Sequence, residues 1–307
     1  MFFVADNVNA LFVEACKAIP VSGFRSCPRG MEIQELLNAG FVLTDPRNNI
    51  VDLPERKISP KYLTAEWLWY VSGEQDKEGS DFICSYAPFW DTIRNVDGSL
   101  NSNYGYYFFR NMDEVLPTEE EFKPISDYYF QNSQMNYVVD TLVADKDSRQ
   151  AIVNINNIYH KAKPTKDFPC TVSMQFFIRE NRLYMTVCMR STDLVLGFCN
   201  DVFQFTMFQF VVYNELKKYY PELELGSFTL FTGSLHFYER HNRMVEDINQ
   251  KYQDADPAGT YLDSETLSLL RSFQNHTYSE FLDSWKHIKS GTETNSQLYK
   301  NLCQLIK

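Results

Sequence analysis

The order of the predicted elements in this sequence indicates an α+β fold. Apolar residues at helical spacing come first, an apolar hairpin follows in the middle of the chain, and the last part is again helical. Helices and strands do not alternate as they would in repeated βαβ units. The length of 307 residues fits one large domain, so we predict a single domain over residues 1–307 with a helical tail from about residue 242.

The N-terminal elements are predicted from apolar spacing and from helix-breaking residues. Apolar side chains at positions i, i+3 and i+4 indicate a helix over residues 7–18 that ends before Pro20. Residues 22–30 are predicted to form a loop that carries Arg29. Proline in the first turn and glycine after the last turn bound a second helix over residues 60–72.

A hairpin and a buried helix are predicted in the second half of the chain. Residues 175–178 and 183–189 are apolar segments around a polar turn, which is typical of a β-hairpin. Residues 201–219 are dense in Phe, Val and Met and stop before Pro221. That composition predicts a largely buried helix.

The remaining elements are two strands and a helical tail. Residues 227–230 and 234–238 are predicted to be separate strands. The tail from residue 240 is predicted to contain two or three helices, one of them capped by Ser264.

The composition excludes several functional classes. A net charge of −11 argues against a broad nucleic-acid-binding surface, although a few arginines could still hold a small anion. The sequence contains no apolar run of the ~20 residues that a membrane span needs, and its start lacks a signal-peptide pattern. Seven cysteines without CxxC or metal-ligand spacing favour a reduced, cytoplasmic location and no metal site.

One cysteine is a candidate nucleophile. Cys170 follows a proline, and Arg190 is predicted at the end of the neighbouring strand, where its charge could lower the pKa of the thiol and hold a phosphate. From this pattern alone, a buried structural thiol is the simpler interpretation.

A set of motifs in a fixed order surrounds this cysteine. They are Glu66-Trp-Leu-Trp69, Trp90-Asp91, Asn103-Tyr-Gly105, Asp147-Ser-Arg149, Pro169-Cys170, Gln175-Phe176, Arg190-Ser-Thr-Asp193 followed by Gly197, and Gly233-Ser-Leu-His-Phe-Tyr238. Together they resemble the active-site core of the thymidylate synthase superfamily. The resemblance implies a mixed β-sheet that is flanked by helices and packs against its mate in a homodimer.

The resemblance also implies which residues act on a pyrimidine nucleoside monophosphate, with 5,10-methylenetetrahydrofolate as co-substrate. The implied catalytic residues are Cys170, which attacks C6 of the base, and Glu66, Tyr104 and Asp201. The implied nucleotide-binding residues are Arg29, Arg149 from the second subunit, Gln175, Arg190, Ser191, Asp193, Asp201, His236 and Tyr238. The implied folate-binding residues are Trp90, Asp193 and Gly197.

Asp201 bears on which base is recognised. Uracil enzymes of the superfamily have Asn four residues after the glycine, and an amide pairs with O4 and N3–H of uracil. Cytosine reverses that pattern, and a carboxyl group can accept from its N4 amino group. Gly197-Phe-Cys-Asn-Asp201 resembles the deoxycytidylate hydroxymethylases, so we predict hydroxymethylation of dCMP. An ordinary helix N-cap is the alternative role for Asp201.

Three departures from the superfamily pattern, and three other functions, stay open. Gln150 stands where a second arginine is usual, Thr171 follows the cysteine in place of His, and the tail is longer than in a minimal synthase. Thymidylate synthesis and hydroxymethylation of dUMP or CMP are alternatives within the superfamily. An inactive nucleotide- or RNA-binding homologue is the alternative from another class.

Overall fold

The structure is a computed structural model that describes residues 1–112, 132–162, 165–254, 256–257 and 261–307. A seven-stranded mixed sheet lies at its centre, with strand order β1-β3-β7-β6-β5-β4 and β2 paired to β3. The strands are β1 (Phe2–Ala5), β2 (Phe24–Ser26), β3 (Ile33–Leu43), β4 (Ile152–Asn154), β5 (Thr171–Arg179), β6 (Arg182–Asp193) and β7 (Glu224–Tyr238). β1 runs parallel to β3 and β6 runs parallel to β7, whereas the other neighbours are antiparallel.

Helices pack around this sheet, which confirms the predicted α+β class. Those in the described residues are α1 (Val8–Ser22), α2 (Pro60–Ser72), α3 (Lys77–Tyr86), α4 (Phe89–Ile93), α5 (Tyr104–Phe109), α6 (Gln134–Ala144), α7 (Tyr159–Ala162), α8 (Cys199–Leu216), α9 (Asn242–Lys251), α10 (Ser264–Ser272), α11 (Tyr278–Ser290) and α12 (Gln297–Ile306). One contiguous set of buried apolar side chains includes residues from Phe3 to Leu305.

The limits of α2 and the position of the β5–β6 turn match the sequence prediction because their signals are local, whereas β5 and β6 are longer than the predicted 175–178 and 183–189. α2 begins after Ser59, whose side chain accepts from Tyr62 N, and it ends at Gly73 with a left-handed φ of 60°. The β5–β6 hairpin turns at Glu180 and Asn181, both with positive φ (48° and 60°), as a tight hairpin turn requires.

The predicted end of the first helix is wrong. α1 continues through Pro20 to Ser22. A proline removes the N–H that would bond to the carbonyl four residues earlier. Here that carbonyl, on Cys16, accepts instead from the side chain of Asn249 on α9 at 3.0 Å. Tertiary contact therefore compensates for the missing helical bond.

The predicted loop over residues 22–30 is partly wrong, because it contains β2 and a short 3₁₀ turn, Pro28–Gly30. The two predicted strands after residue 226 are also wrong as separate elements, since β7 is continuous. Gly233 makes this possible: a Cβ there would lie 2.8 Å from the carbonyl oxygen of Arg190 on β6.

The tail differs in count and in its cap. Its described residues form four α-helices, α9 to α12, where two or three were predicted. The cap of α10 is Asp263, whose side chain accepts from Thr266 N, and Ser264 is the first helical residue. Both Asp and Ser cap helices well, so residue type alone does not distinguish Asp263 from Ser264.

α8 lies in the core, as its composition predicted, although its limits are Cys199 and Leu216 rather than residues 201–219. A π-helical turn, Leu194–Phe198, joins β6 to it. The segment Leu194–Leu216 is long and apolar enough to cross a membrane, but 78% of its most apolar stretch is buried inside the protein. Such burial is that of a core helix.

The sheet has one buried face and one partly exposed face. A row of paired residues crosses the exposed face from β5 to β1: Gln175, Thr186, Thr229, Val42 and Val4. None of these five side chains is buried, and none is charged. A neutral, partly apolar sheet face of this kind suits contact with another flat surface.

Candidate active site

The candidate nucleophile lies where two strands meet. Cys170 immediately precedes β5, and its carbonyl accepts from the backbone N–H of Arg190 on β6 at 2.8 Å. Its thiol lies 3.9 Å from the hydroxyl of Ser191. Cys170, Arg190 and Ser191 are therefore brought together, as the sequence predicted.

The guanidinium of Arg190 is held at the rim of the site. It donates to the carbonyls of Phe168 and Pro169 at 2.7 and 3.2 Å and to the hydroxyl of Ser191 at 3.0 Å. Burial raises the pKa of the Cys170 thiol, while Arg190 and Ser191 lower it. The same charge can favour the thiolate and bind an anion, because the arginine side chain remains exposed.

Asp201 lies in the first turn of α8 but is not its cap. The N-cap residue is Phe198, which makes no side-chain capping bond, and Asp193 accepts from Val195 N and Leu196 N at the preceding π turn. Burial, reinforced by Asp193, raises the pKa of Asp201 to about 7. The predicted alternative role as an N-cap is therefore not the arrangement found.

Gly197 brings the backbone close to this carboxyl group. A Cβ at that position would lie 3.2 Å from Asp201 Oδ2. Such a contact is tighter than most side chains tolerate, so a larger residue would push Asp201 aside.

A second buried carboxyl faces Asp201 from α2. Glu66 accepts from the hydroxyl of Tyr62 at 2.7 Å and from the side-chain amide of Gln204 at 3.1 Å. Burial, with a contribution from Asp201, raises the pKa of Glu66 to about 8. Two acids with raised pKa values in one site are suited to proton transfer near neutral pH.

Tyr104 closes the same cluster from α5. Its ring stacks between Tyr70 and Phe205, at centroid distances of 5.5 and 5.9 Å. Burial raises the pKa of Tyr104 well above its usual range, and the charges of Cys170 and Asp201 add to that effect. The hydroxyl of Tyr104 therefore stays protonated close to the candidate nucleophile.

Two predicted nucleotide-binding residues, His236 and Tyr238, lie at the adjoining end of β7. Asp193 and His236 are direct partners in the parallel β6–β7 register, and the ring of Tyr238 lies 5.5 Å from that of His236. Burial raises the pKa of Tyr238, whereas the nearby charge of Arg29 lowers it. Arg29 thus lies beside this group on its 3₁₀ turn, with a left-handed φ of 54°.

Trp90 is half-buried on α4 and links to the acid cluster. Its indole N–H donates to the hydroxyl of Tyr62 at 3.1 Å, and its ring packs edge-on against Trp69 at 5.3 Å. One side of an exposed aromatic ring beside two acids could stack a flat heterocycle.

Two of the predicted nucleotide-binding residues lie elsewhere in this chain. Gln175 points to the exposed face of the sheet, where its amide donates to the carbonyl of Arg149 at 2.8 Å. At ~3.3 Å per residue, Gln175 lies roughly 16 Å along β5 from Cys170. A single chain therefore does not bring Gln175 and Arg149 to the nucleophile.

Sequence reasoning missed several residues that shape the site. Asp167 is buried and accepts from the hydroxyl and the N–H of Ser102, at 2.5 and 2.7 Å, which fixes the loop before Cys170. Glu35 accepts from Ser234 at 2.5 Å, and Ser234 in turn contacts His236 at 3.5 Å. A third missed residue is Tyr62. Its position four residues before Glu66 places both side chains on one face of α2, and this spacing is visible in the sequence.

Three buried polar atoms at the site have no hydrogen-bond partner. They are Asp193 Oδ2, Arg56 Nε and His241 Nδ1. Burial lowers the pKa of His241, whereas the nearby Asp193 charge opposes that shift. Unpaired buried groups are costly for stability, so these atoms are candidates for contact with a ligand. In the described residues, no group of three or more Cys, His, Asp or Glu is arranged to hold a metal ion.

Comparison with known proteins identifies the family. The family model described as thymidylate synthase matches residues 14–283. The chain belongs to the thymidylate synthase family. The thermostable thymidylate synthase A from Bacillus subtilis has the same fold, with a TM-score of 0.61 over 80% of this chain and 84% of that chain at 18% identity.

Two similar relatives within the thymidylate synthase family are hydroxymethyltransferases. The deoxyuridylate hydroxymethyltransferase of Bacillus phage SP01 is 26% identical over 89% of this chain and 67% of its own length. The deoxycytidylate 5-hydroxymethyltransferase of Enterobacteria phage T4 is 25% identical over 71% of this chain and 80% of its own length. The chain is therefore a one-carbon transferase of a family that uses methylenetetrahydrofolate and acts on nucleoside monophosphates.

Proposed function

We propose that this protein hydroxymethylates C5 of dCMP. One dCMP, one methylenetetrahydrofolate and one water give 5-hydroxymethyl-dCMP and tetrahydrofolate. The observation that carries the proposal is Asp201, a carboxyl group at the position that faces the base, placed among the nucleophile and the acids and not engaged as a helix cap. Water, rather than hydride from the folate, completes the transfer.

Donor and acceptor geometry favours cytosine when Asp201 accepts from N4 and shares one proton with N3 of the base. The N4 amino group of cytosine donates to a carboxylate, and N3 completes a second bond when a proton lies between them. Uracil would instead bring O4 against the carboxylate, and two facing acceptors in a buried site cost ~1–3 kcal/mol. With a pKa of about 7, Asp201 can share such a proton with the base near neutral pH.

The remaining residues take the roles that their positions support. Cys170 adds to C6 of the base, which makes C5 nucleophilic, and leaves again when the product forms. Arg190 and Ser191 bind the phosphate, because a guanidinium donates two parallel hydrogen bonds to it. His236 and Tyr238 bond to the sugar hydroxyl from the end of β7.

The site also fits the folate co-substrate, which supplies the one-carbon unit. The half-buried indole of Trp90 offers a stacking surface for a flat ring. The unpaired, buried Oδ2 of Asp193 offers an acceptor for a ring N–H. The backbone at Gly197 runs close to this acceptor, because a Cβ there would lie 3.8 Å from the Cβ of Asp193.

A homodimer would complete the phosphate site. One row of uncharged residues crosses the exposed sheet face over five strands, and Arg149 is anchored at its β5 end through Gln175. Because Arg149 does not reach Cys170 within one chain, we infer that it serves the phosphate of the partner subunit. A cytoplasmic location also remains a prediction.

A second candidate is hydroxymethylation of dUMP. The observation that favours it is the similarity to the SP01 phage deoxyuridylate hydroxymethyltransferase, which extends over 89% of this chain. A neutral Asp201 offers one donor and one acceptor, as Asn does, and could pair with uracil below its pKa. The two candidates share the water addition and differ only in the base.

Product analysis tests the proposal. Purified protein is incubated with methylenetetrahydrofolate and dCMP, CMP or dUMP in separate reactions at pH 8, and the nucleotides are identified by mass spectrometry, with Cys170→Ser as the control. We expect dCMP to gain the mass of CH₂O. A gain of CH₂ alone would show reductive methylation, preferred use of dUMP would favour the second candidate, and no product with any nucleotide would contradict the enzymatic proposal.

Subunit complementation tests the shared phosphate site. Arg149→Ala and Cys170→Ser proteins are each expected to be nearly inactive. Mixed dimers would hold one intact site, so activity should return after subunit exchange. No recovery, with exchange verified by mass spectrometry of differently tagged chains, would contradict a contribution of Arg149 to the partner.

A further inference from the structure

Tyr62 is the middle member of a hydrogen-bonded row that no motif predicted. The indole N–H of Trp90 donates to its hydroxyl oxygen at 3.1 Å, and that hydroxyl lies 2.7 Å from Glu66 Oε1. On the other side of the carboxyl, Gln204 Nε2 lies 3.1 Å from Glu66 Oε2 and 2.9 Å from the carbonyl of Leu63. Tyr62 and Glu66 are four residues apart and therefore share one face of α2.

The direction of these bonds follows from the chemistry of the groups. An indole N–H can only donate, so the hydroxyl oxygen of Tyr62 is the acceptor from Trp90. The one proton of that hydroxyl is then committed to Glu66 Oε1. While Tyr62 donates to Oε1, a proton taken up by Glu66 lies on Oε2, which also accepts from Gln204 Nε2.

We propose that Tyr62 is a positioning residue that keeps the exchangeable proton of Glu66 on Oε2 and ties this arrangement to the indole of Trp90. This inference rests on the proposed function, because that function assigns proton transfer to Glu66. Because the half-buried ring of Trp90 is the proposed stacking surface for the folate, the row connects that surface to Glu66. Tyr62 itself touches no reacting atom, so it acts through Glu66.

The groups that face Glu66 determine the sign of the expected pH effect. Tyr62 and Tyr70 lie on its own helix, and Asp201 faces it from α8. Among these, the Tyr62 hydroxyl lowers the pKa of Glu66 by donating to its ionised form, while burial and Asp201 raise it. Removing the hydroxyl should therefore raise the pKa of Glu66 above about 8.

The experiment compares Tyr62→Phe with a matched control. Tyr86→Phe removes a hydroxyl from a half-buried tyrosine on α3 whose ring packs on Phe82 and which does not contact Glu66. Each variant is assayed for kcat and KM from pH 6 to 10. Each is also labelled with ¹³C at the glutamate carboxyls, and the resonance that disappears in Glu66→Gln is titrated by NMR.

Tyr62→Phe should lower kcat about tenfold, the equivalent of one hydrogen bond to a charged group, with both KM values nearly unchanged. Its Glu66 resonance should titrate at higher pH than in the wild type, and Tyr86→Phe should change neither value. An unchanged titration in Tyr62→Phe would overturn the inference whether or not the protein turns over. If the wild-type protein were inactive with every nucleotide, the proposed function would be contradicted. The NMR titration would still decide whether Tyr62 positions the proton of Glu66.

Discussion

Two helices, α11 and α8, begin in different ways: α11 has a complete side-chain cap and α8 has none. At α11, Thr277 and Glu280 form a capping box, in which each side chain bonds to the backbone N–H of the other, and the helix ends at Gly291 in a left-handed conformation. α8 begins without a side-chain cap after a π-helical turn, and its first turn contains Asp201, an acid whose pKa burial raises to about 7.

The difference separates stability from function. Local capping signals are complete where a helix only has to hold the fold together. Such capping signals are missing at the start of α8, where Asp193 Oδ2 is also buried without a hydrogen-bond partner. Proteins retain such locally unfavourable groups at sites that bind or react, and other parts of the fold compensate for them.

The largest effect is expected from removing the nucleophile. Cys170→Ser should reduce turnover by about 10⁴-fold or more, because a serine hydroxyl is far less nucleophilic than a thiolate. Binding of dCMP, measured by calorimetry, should persist, and the free energy of unfolding should barely change. Turnover within tenfold of the wild type would remove Cys170 from the mechanism.

An intermediate effect is expected on stability when Asp201 is replaced by Asn. The folded state keeps a proton on Asp201 up to about pH 7, whereas the unfolded chain loses it near ~3.9. The folded protein thus binds more protons, and the contribution of Asp201 to stability falls as pH rises through this window. Urea unfolding should show the advantage of Asp201→Asn over the wild type growing from pH 4 to 7. A difference that does not vary with pH would indicate an exposed acid.

The smallest effect is expected at the capped helix. Thr277→Ala removes the capping box of α11 and should lower the free energy of unfolding by ~1 kcal/mol. Because this helix start contributes no group to the site, kcat and KM should stay as in the wild type. A change in the ratio of dCMP to dUMP turnover in this variant would break the proposed division between the two helix beginnings.

Local signals explain which parts of the fold could be predicted from the sequence. The limits of α2 were predictable because Ser59 and Gly73 specify them within a few residues. The continuation of α1 past Pro20 was not predictable. The carbonyl of Cys16, which lacks its helical partner, accepts a hydrogen bond from Asn249, 233 positions further along the chain. Long-range contacts of this kind leave no mark in a local pattern.

The same distinction holds for the site. Cys170, Arg190 and Asp201 were found because they belong to linear motifs. Asp167 was missed because its role depends on a contact with Ser102 across 65 positions. The proposed roles of Arg149 and Gln175 depend on a second chain, which a single sequence pattern does not describe.

The most direct test of the account is the substrate preference of Asp201→Asn. The ratio of kcat/KM for dCMP to that for dUMP is measured at pH 8, where the wild-type Asp201 is largely ionised. We expect the ratio to fall by about 10²-fold or more, since one mispaired buried hydrogen bond and one lost charge-assisted bond each contribute ~1–3 kcal/mol. An unchanged ratio would contradict the claim that this acid is kept at the start of α8 to recognise the base.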